Sequence, residues 1–159
     1  MTPAEANEVG ITFTVHGQPV PAARPRVARG HAFMPKRTVD AEKEVGAAWV
    51  RASHNLWIPT GGVAVWMQFF VSDKVRRDID NLAKTVLDGL TRYGWAWGDD
   101  SQVIDLMCDI YLDKEQPRTV VTVEGSSSAL RGNGSFVVRG IDDGDPKKKR
   151  ALTKKRKRA

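Results

Sequence analysis

The chain has 159 residues, 28% of them charged and 41% hydrophobic, which suits one domain of ordinary size with its own core. Its single cysteine, Cys108, excludes an internal disulfide framework and a cysteine-rich zinc site, and fits a reducing compartment. The formal charge of +6 is local: nine of the 25 basic and three of the 19 acidic residues fall within 141–159, leaving sixteen of each elsewhere.

Residues 1–10 read as a flexible leader without the basic and apolar regions of a signal peptide. Ile11, Phe13 and Val15 then alternate with Thr12, Thr14 and His16, a half-buried strand closed by Gly17 and Pro19. PVPAARPRVARGHAFMPKR follows as an extended basic loop. Long irregular loops in compact domains are commonly functional. Here Arg24, Arg26, Arg29, Lys36 and Arg37 offer phosphate contacts, stiffened by proline; the plainer reading is a solvated surface loop. From Thr38 to about Asn55 the pattern is helical, with Val45, Ala48 and Trp49 on the inner face. A strand is predicted over 63–71, and Gly61–Val71 is too short an apolar run for a membrane helix. No Walker loop, dinucleotide fingerprint or internal repeat is present, so neither a membrane nor a nucleotide cofactor is expected.

The segment 76–102, RRDIDNLAKTVLDGLTRYGWAWGDDSQ, is the most informative. At about 100° per residue, Ile79, Leu82, Ala83, Val86, Leu90 and Tyr93 gather on one side of a helix at about 79–92. Asp80, Asn81, Lys84, Thr85, Asp88 and Arg92 gather on the other. Asp78 is placed to cap this helix and Asp80 lies in its first turn, where negative charge meets the positive end of the dipole. An ordinary Asp80–Lys84 ion pair would explain part of the pattern. Asp99 and Asp100 then arrive on a short loop that could return them to the polar front. Several carboxylates beside a lysine suit magnesium-assisted phosphoryl chemistry, whereas a protein interior tolerates them badly. Trp95 and Trp97 frame that loop and read as packing or contact residues, and His16, His31 and His54 share no metal-ligand spacing.

Ile104, Leu106, Cys108, Ile110 and Leu112 alternate with Asp105, Met107, Asp109, Tyr111 and Asp113, so a strand is predicted with its aspartates outward and Cys108 toward the core. TVVTVEG at 119–125 reads as its hairpin partner. The order β-α-β-α-β-β predicts an α/β (α+β) single domain over 11–125, with a mixed sheet and two main helices. Residues 126–159 read as a Gly/Ser-rich linker, a short Phe136–Val138 piece and a disordered basic tail able to hold phosphates without sequence preference.

R-R-D-I-D-N-L-x-K at 76–84, L-D-G-L at 87–90 and W-G-D-D-S-Q-V at 97–103 resemble the RusA-type Holliday-junction resolvases, and A-R-P-R-V at 23–27 with P-K-R-T at 35–38 is similar to the basic element of their phage-type members. The resemblance spans about residues 11 to 124. It implies that Asp78, Asp80 and Asp100 are metal-holding catalytic carboxylates and Lys84 the catalytic lysine, with Asp99 and Asp88 in less defined roles. It implies magnesium, with manganese as substitute, a homodimer, and paired symmetric nicks in a four-way DNA junction, in the cytoplasm of a bacterium or a phage-infected cell. Arg24, Arg26, Lys36, Arg37, Arg76 and Arg77 are the expected DNA contacts. Spacing alone reaches only a metal-dependent nuclease. The alternatives are a nuclease acting on other branched or single-stranded DNA, and a junction-binding module without catalysis.

Overall fold

A computed structural model describes residues 8–58 and 61–126, so the expected linker and tail lie outside the described residues, apart from the linker's first residue. In chain order the elements are β1 (Glu8–His16), β2 (Arg26–Ala28), β3 (His31–Phe33), α1 (Lys36–Ser53), β4 (Val63–Val71), α2 (Ile79–Arg92), β5 (Val103–Leu112) and β6 (Arg118–Ser126). Four strands form one mixed sheet in the order β1-β6-β4-β5, with β4 parallel to β5 and the other pairs antiparallel. The result is a single α+β domain with a mixed sheet and two helices.

Strand β4, VAVWMQFFV, is interior because its side chains can be buried along nearly the whole run. Val65, Met67 and Phe69 share a face with Val121 and Val123 of β6, and these pack with Phe13, Trp49, Leu82 and Leu90 into one cluster. Each such side chain, once buried, contributes about 1.5–3 kcal/mol. The opposite face carries the Thr12–Thr122 hydroxyl pair at 2.9 Å, the stacked rings of Phe70 and Tyr111, and Arg118 at 3.8 Å over Phe70. The helices cross closely because Gly89 of α2 lies against α1: a Cβ there would stand 2.6 Å from the carbonyl oxygen of Glu42.

Several local expectations are corrected. β6 is not the hairpin partner of β5; it inserts between β1 and β4. The connection between β5 and β6 need only step over one intervening strand, about 10 Å, well within reach of a few extended residues. The basic loop contains a two-stranded ribbon, β2 with β3, turned at Arg29 and Gly30 with φ of 51° and 79°. α1 begins at Lys36, so Lys36 and Arg37 lie in its first turn rather than on the loop. β1 begins at Glu8, inside the expected leader. On α2 the expected polar side is partly interior: Thr85 and Asp88 are buried while Ile79 is exposed. On β5, Asp105 and Asp109 are half-buried, as is Asp113 just beyond its end, and it is Ile104, Leu106, Ile110 and Leu112 that stand exposed.

Candidate active site

The two ends of α2 carry the expected catalytic residues. At its entrance Asp73 shapes the approach: its carboxylate accepts the backbone N–H of Val75 at 2.9 Å and both Arg77 guanidinium nitrogens at 2.6 and 3.1 Å. Those bonds from Arg77 hold the Asp73 carboxyl below its usual range. Arg77 is thereby committed to the loop, while Arg76 beside it is exposed. Asp78 occupies the N-cap with φ −82° and ψ 122°, yet its side chain makes no capping bond. The position was legible and the bond was not. Asp80 follows in the first turn. Lys84 turns away from it to Asp88, at 3.0 Å, so the ordinary pair expected between Asp80 and Lys84 is replaced by one a turn further on. Among the described residues neither Asp78 nor Asp80 has a basic partner within 4.0 Å.

The basic segment is tied to this same end. The backbone N–H of Ala22 donates to the Asn81 carbonyl at 2.9 Å, and that of Ala23 to the Thr38 hydroxyl at 3.3 Å. Arg24 and Arg26 follow directly from that attachment, both exposed, and Arg26 starts the ribbon. Arg37 is exposed on the first turn of α1, and its neighbour Lys36 pairs with Asp40 at 2.8 Å, which raises the lysine's pKa. Arg24, Arg26 and Arg37 thus leave from segments tied to the end of α2 that carries Asp78 and Asp80.

At the far end the acidic pair is locked in place. Asp99 caps a single 3-10 turn at Asp100–Gln102, accepting the Ser101 N–H at 3.0 Å and the Ser101 hydroxyl, and these bonds keep its carboxyl below the usual range. Gln102 closes the turn: its Oε1 accepts the N–H groups of Gly98 and Asp99 at 2.8 and 3.0 Å, and its Nε2 donates to the Ile58 and Gly61 carbonyls at 3.1 and 3.3 Å. Asp100 Oδ1 accepts the Thr91 hydroxyl in a short bond and the indole N–H of buried Trp97 at 3.4 Å. Trp95, by contrast, is 72% exposed and held at φ 51°, a conformation costly for a bulky residue.

Thr91 lies eleven residues beyond Asp80, and at 1.5 Å per residue the helix separates them by about 16 Å along its axis. The return loop thus brings Asp100 to the exit of α2 and not to the Asp78–Asp80 entrance. Among the described residues no group of three or more His, Cys, Asp or Glu side chains is close enough to hold a metal ion. As hard oxygen donors the three aspartates suit magnesium; within one chain their placement does not fit a single ion.

Sequence reasoning missed the polar seam between the helices. Glu42 of α1 is 1% exposed, reached by Arg92 at 3.4 Å, and burial pushes its carboxyl upward. Its Oε1 has no hydrogen-bond partner among the described residues. Asp88, also buried, faces Lys84 and Arg92. The signal existed: Glu42 lies three residues before Val45 and seven before Trp49, hence on the inner face already assigned to them. Thr91 and Gln102 left no comparable trace, because their roles depend on where the loop returns.

A mixed sheet with two helices packed against it, a helix opening on D-x-D-N-x-x-K and a W-G-D-D-S-Q turn at its far end make up one α+β domain. The family model of endodeoxyribonuclease RusA matches residues 16–124, from the end of β1 into β6, and the chain belongs to that family. Its curated relatives include the crossover junction endodeoxyribonuclease RusA of Escherichia coli (strain K12) and that of Shigella sonnei (strain Ss046). Each is 44% identical over 43 residues, 27% of this chain and 35% of the relative. The matched part thus spans about a third of the length of those relatives. Among the described residues no helix is long and apolar enough to cross a membrane.

Proposed function

We propose that the protein is a magnesium-dependent endodeoxyribonuclease that resolves four-way DNA junctions by paired nicks, working as a homodimer in the cytoplasm. The observation that carries this reading is the shared rim: Asp78 and Asp80, with no basic partner among the described residues, beside a basic ribbon anchored on Asn81. Carboxylates left unpaired at a surface lined with arginines are poorly explained by stability and well explained by a cation recruited together with a phosphate backbone.

Asp78 and Asp80 are proposed as ligands from one chain, with Asp100 supplied by the second copy, since one chain holds the two ends of α2 apart. A bound magnesium ion would supply a polarised water and offset charge on the leaving oxygen. Lys84, 58% exposed on its side chain and borrowed by Asp88, can swing to a phosphate oxygen as charge develops there. Arg24, Arg26, Lys36, Arg37 and Arg76 hold flanking phosphates, and Arg77 supports the loop that presents Asp78. Two sites related by a twofold axis would account for nicks in opposed strands.

The test is cleavage of a labelled four-way junction beside matched linear duplex and single strand, with and without magnesium or manganese. Paired nicks confined to the junction and to metal are expected. Metal-dependent cutting of all three would leave a nuclease of broader substrate range. Tight junction binding without cutting in either metal would make the protein a binding module.

A further inference from the structure

Four charges alternate along one row of α2, each a turn from the next: Asp80, Lys84, Asp88 and Arg92. Glu42 of α1 closes the row at its far end. Lys84 has a carboxylate one turn away on either side, and it is Asp88 that takes it, at 3.0 Å. A helix by itself favours the other choice, since an acid placed before a lysine pairs better than one placed after it. Asp80 is that acid, and among the described residues it has no basic partner within 4.0 Å. The intrinsically weaker pair is the one that forms.

Burial decides between them. Asp80 is exposed, whereas Asp88 is 7% exposed, and a buried carboxylate without a cation costs far more than one in water. Arg92 could supply that cation from the next turn. It stands 4.0 Å from one Asp88 oxygen, however, and 3.4 Å from Glu42, which is itself 1% exposed. Glu42 thus draws Arg92 toward α1, and the other Asp88 oxygen is left to Lys84. Burial raises the Glu42 carboxyl, and Arg92, Asp88 and Lys84 all act on it, so these charges behave as one coupled set.

We infer that Asp88 is a positioning residue for Lys84, holding its ammonium group off Asp80, and that Glu42 sets the strength of that hold through Arg92. The hold does two things. The Asp80 carboxylate stays free, and the lysine stays one turn from the entrance with its side chain 58% exposed, ready to meet a phosphate oxygen. A row kept for stability alone would pair Asp80 with Lys84 and Asp88 with Arg92, and would leave no carboxylate single. Glu42, from the other helix, prevents that arrangement. The inference deepens the proposed function and rests on it for what Lys84 does to DNA. Its first measurement needs neither DNA nor metal.

That measurement is pulse acetylation of the full chain with acetic anhydride in mildly alkaline buffer, read lysine by lysine by mass spectrometry. Exposed Lys74 and Lys114 serve as references. A lysine held by a carboxylate acetylates slowly, so Asp88→Asn should speed Lys84 by about three- to fivefold and leave the references unchanged. Glu42→Gln frees Arg92 for Asp88 and should speed Lys84 by about twofold, with no further gain once Asp88→Asn is present. Asp80→Asn should leave Lys84 labelling as it is when made alone. After Asp88→Asn it should add about twofold, because the lysine has then fallen back on Asp80. On saturating junction, Asp88→Asn should slow single-turnover cutting by about tenfold at unchanged affinity and add nothing to the loss from Lys84→Ala. Equal Lys84 labelling in wild type and Asp88→Asn, a rise shared by Lys74 and Lys114, a Glu42→Gln effect that persists without Asp88, or an additive loss with Lys84→Ala would overturn the inference. Should Asp88→Asn fail to fold, Glu42→Gln alone decides: a raised Lys84 rate supports the hold and an unchanged one overturns it. If labelling follows this pattern and the chain cuts no junction, the hold on Lys84 stands and the nuclease reading fails.

Discussion

The entrance and the exit of α2 hold similar residues in opposite conditions. At the entrance Asp78 and Asp80 are exposed, Asp78 leaves its cap unmade, and the nearest lysine is turned elsewhere. At the exit Asp99 and Asp100 are bound by Ser101, Thr91 and Trp97, inside a turn closed by Gln102. The first arrangement gives up stability that a cap would supply, about 1 kcal/mol, and leaves oxygen ligands available. The second fixes one oxygen of Asp100 and so its orientation. On the proposed function, an exposed pair and an oriented single carboxylate would be complementary contributions to one ion, met from two chains.

Substitutions at the two ends should separate chemistry from structure. Asp80→Asn is expected to lower junction cleavage by more than about a hundredfold while the melting temperature holds and junction binding stays equal or tightens, because a charge repelling phosphate is removed. Asp100→Asn keeps an oxygen acceptor for Thr91 and Trp97 and should show a similar loss. Mixed dimers sharpen the comparison: Asp80→Asn chains combined with Asp100→Asn chains should recover about one active site per dimer if ligands come from both copies. Recovery of nothing would return all three aspartates to a single chain.

Gly89→Ala probes the middle of the helix, which should serve both ends alike. Its Cβ would meet the Glu42 carbonyl oxygen at 2.6 Å, backbone that cannot yield cheaply. A loss of about 1–3 kcal/mol is expected, read as a lower urea midpoint with unchanged slope. Activity per folded molecule should fall little at temperatures where the variant stays folded. A variant as stable as wild type would mean that the helices separate without cost and that the close approach at Gly89 is not needed to hold α2 in place.

The contrast between the ends also marks what the sequence could show. The amphipathic period of 79–92 located α2 and its buried Leu82, Val86 and Leu90, because burial of a helical face leaves a regular spacing. The acidic entrance was legible for the same reason: Asp78 and Asp80 are local to one turn. The exit was not, since whether Asp100 returns to the front or the back of α2 depends on Gln102 reaching Ile58 and Gly61, over forty residues away. The place of β6 between β1 and β4 was hidden likewise, because adjacency in sequence favours a hairpin and only the packed sheet decides otherwise. The open β5 edge could not be read from alternation, which marks a face as apolar without saying that anything covers it.

The smallest effect expected concerns the seam that joins α1 to the exit end. Burial raises the Glu42 carboxyl above its ordinary 4.5, against the opposing pull of Arg92 and with the help of Asp88. An acid whose folded-state pKa is raised holds its proton longer in the folded protein than in the unfolded chain. Its contribution is therefore favourable at low pH and is lost as pH rises from about 4.5 through the folded value. Asp73, Asp99 and Asp113 are shifted the other way, so they stabilise above their ordinary value and lose that contribution as pH falls, which masks Glu42 in the wild-type profile. Glu42→Gln isolates it. The melting temperature of the variant relative to wild type should climb by a few degrees between about pH 4 and pH 7, as the wild-type carboxyl is forced to ionise in its buried site. A gap that stays flat across that range would show Arg92 offsetting burial, and one that falls as pH rises would show Arg92 outweighing it; in either case the seam would be an ordinary ion pair rather than a strained one.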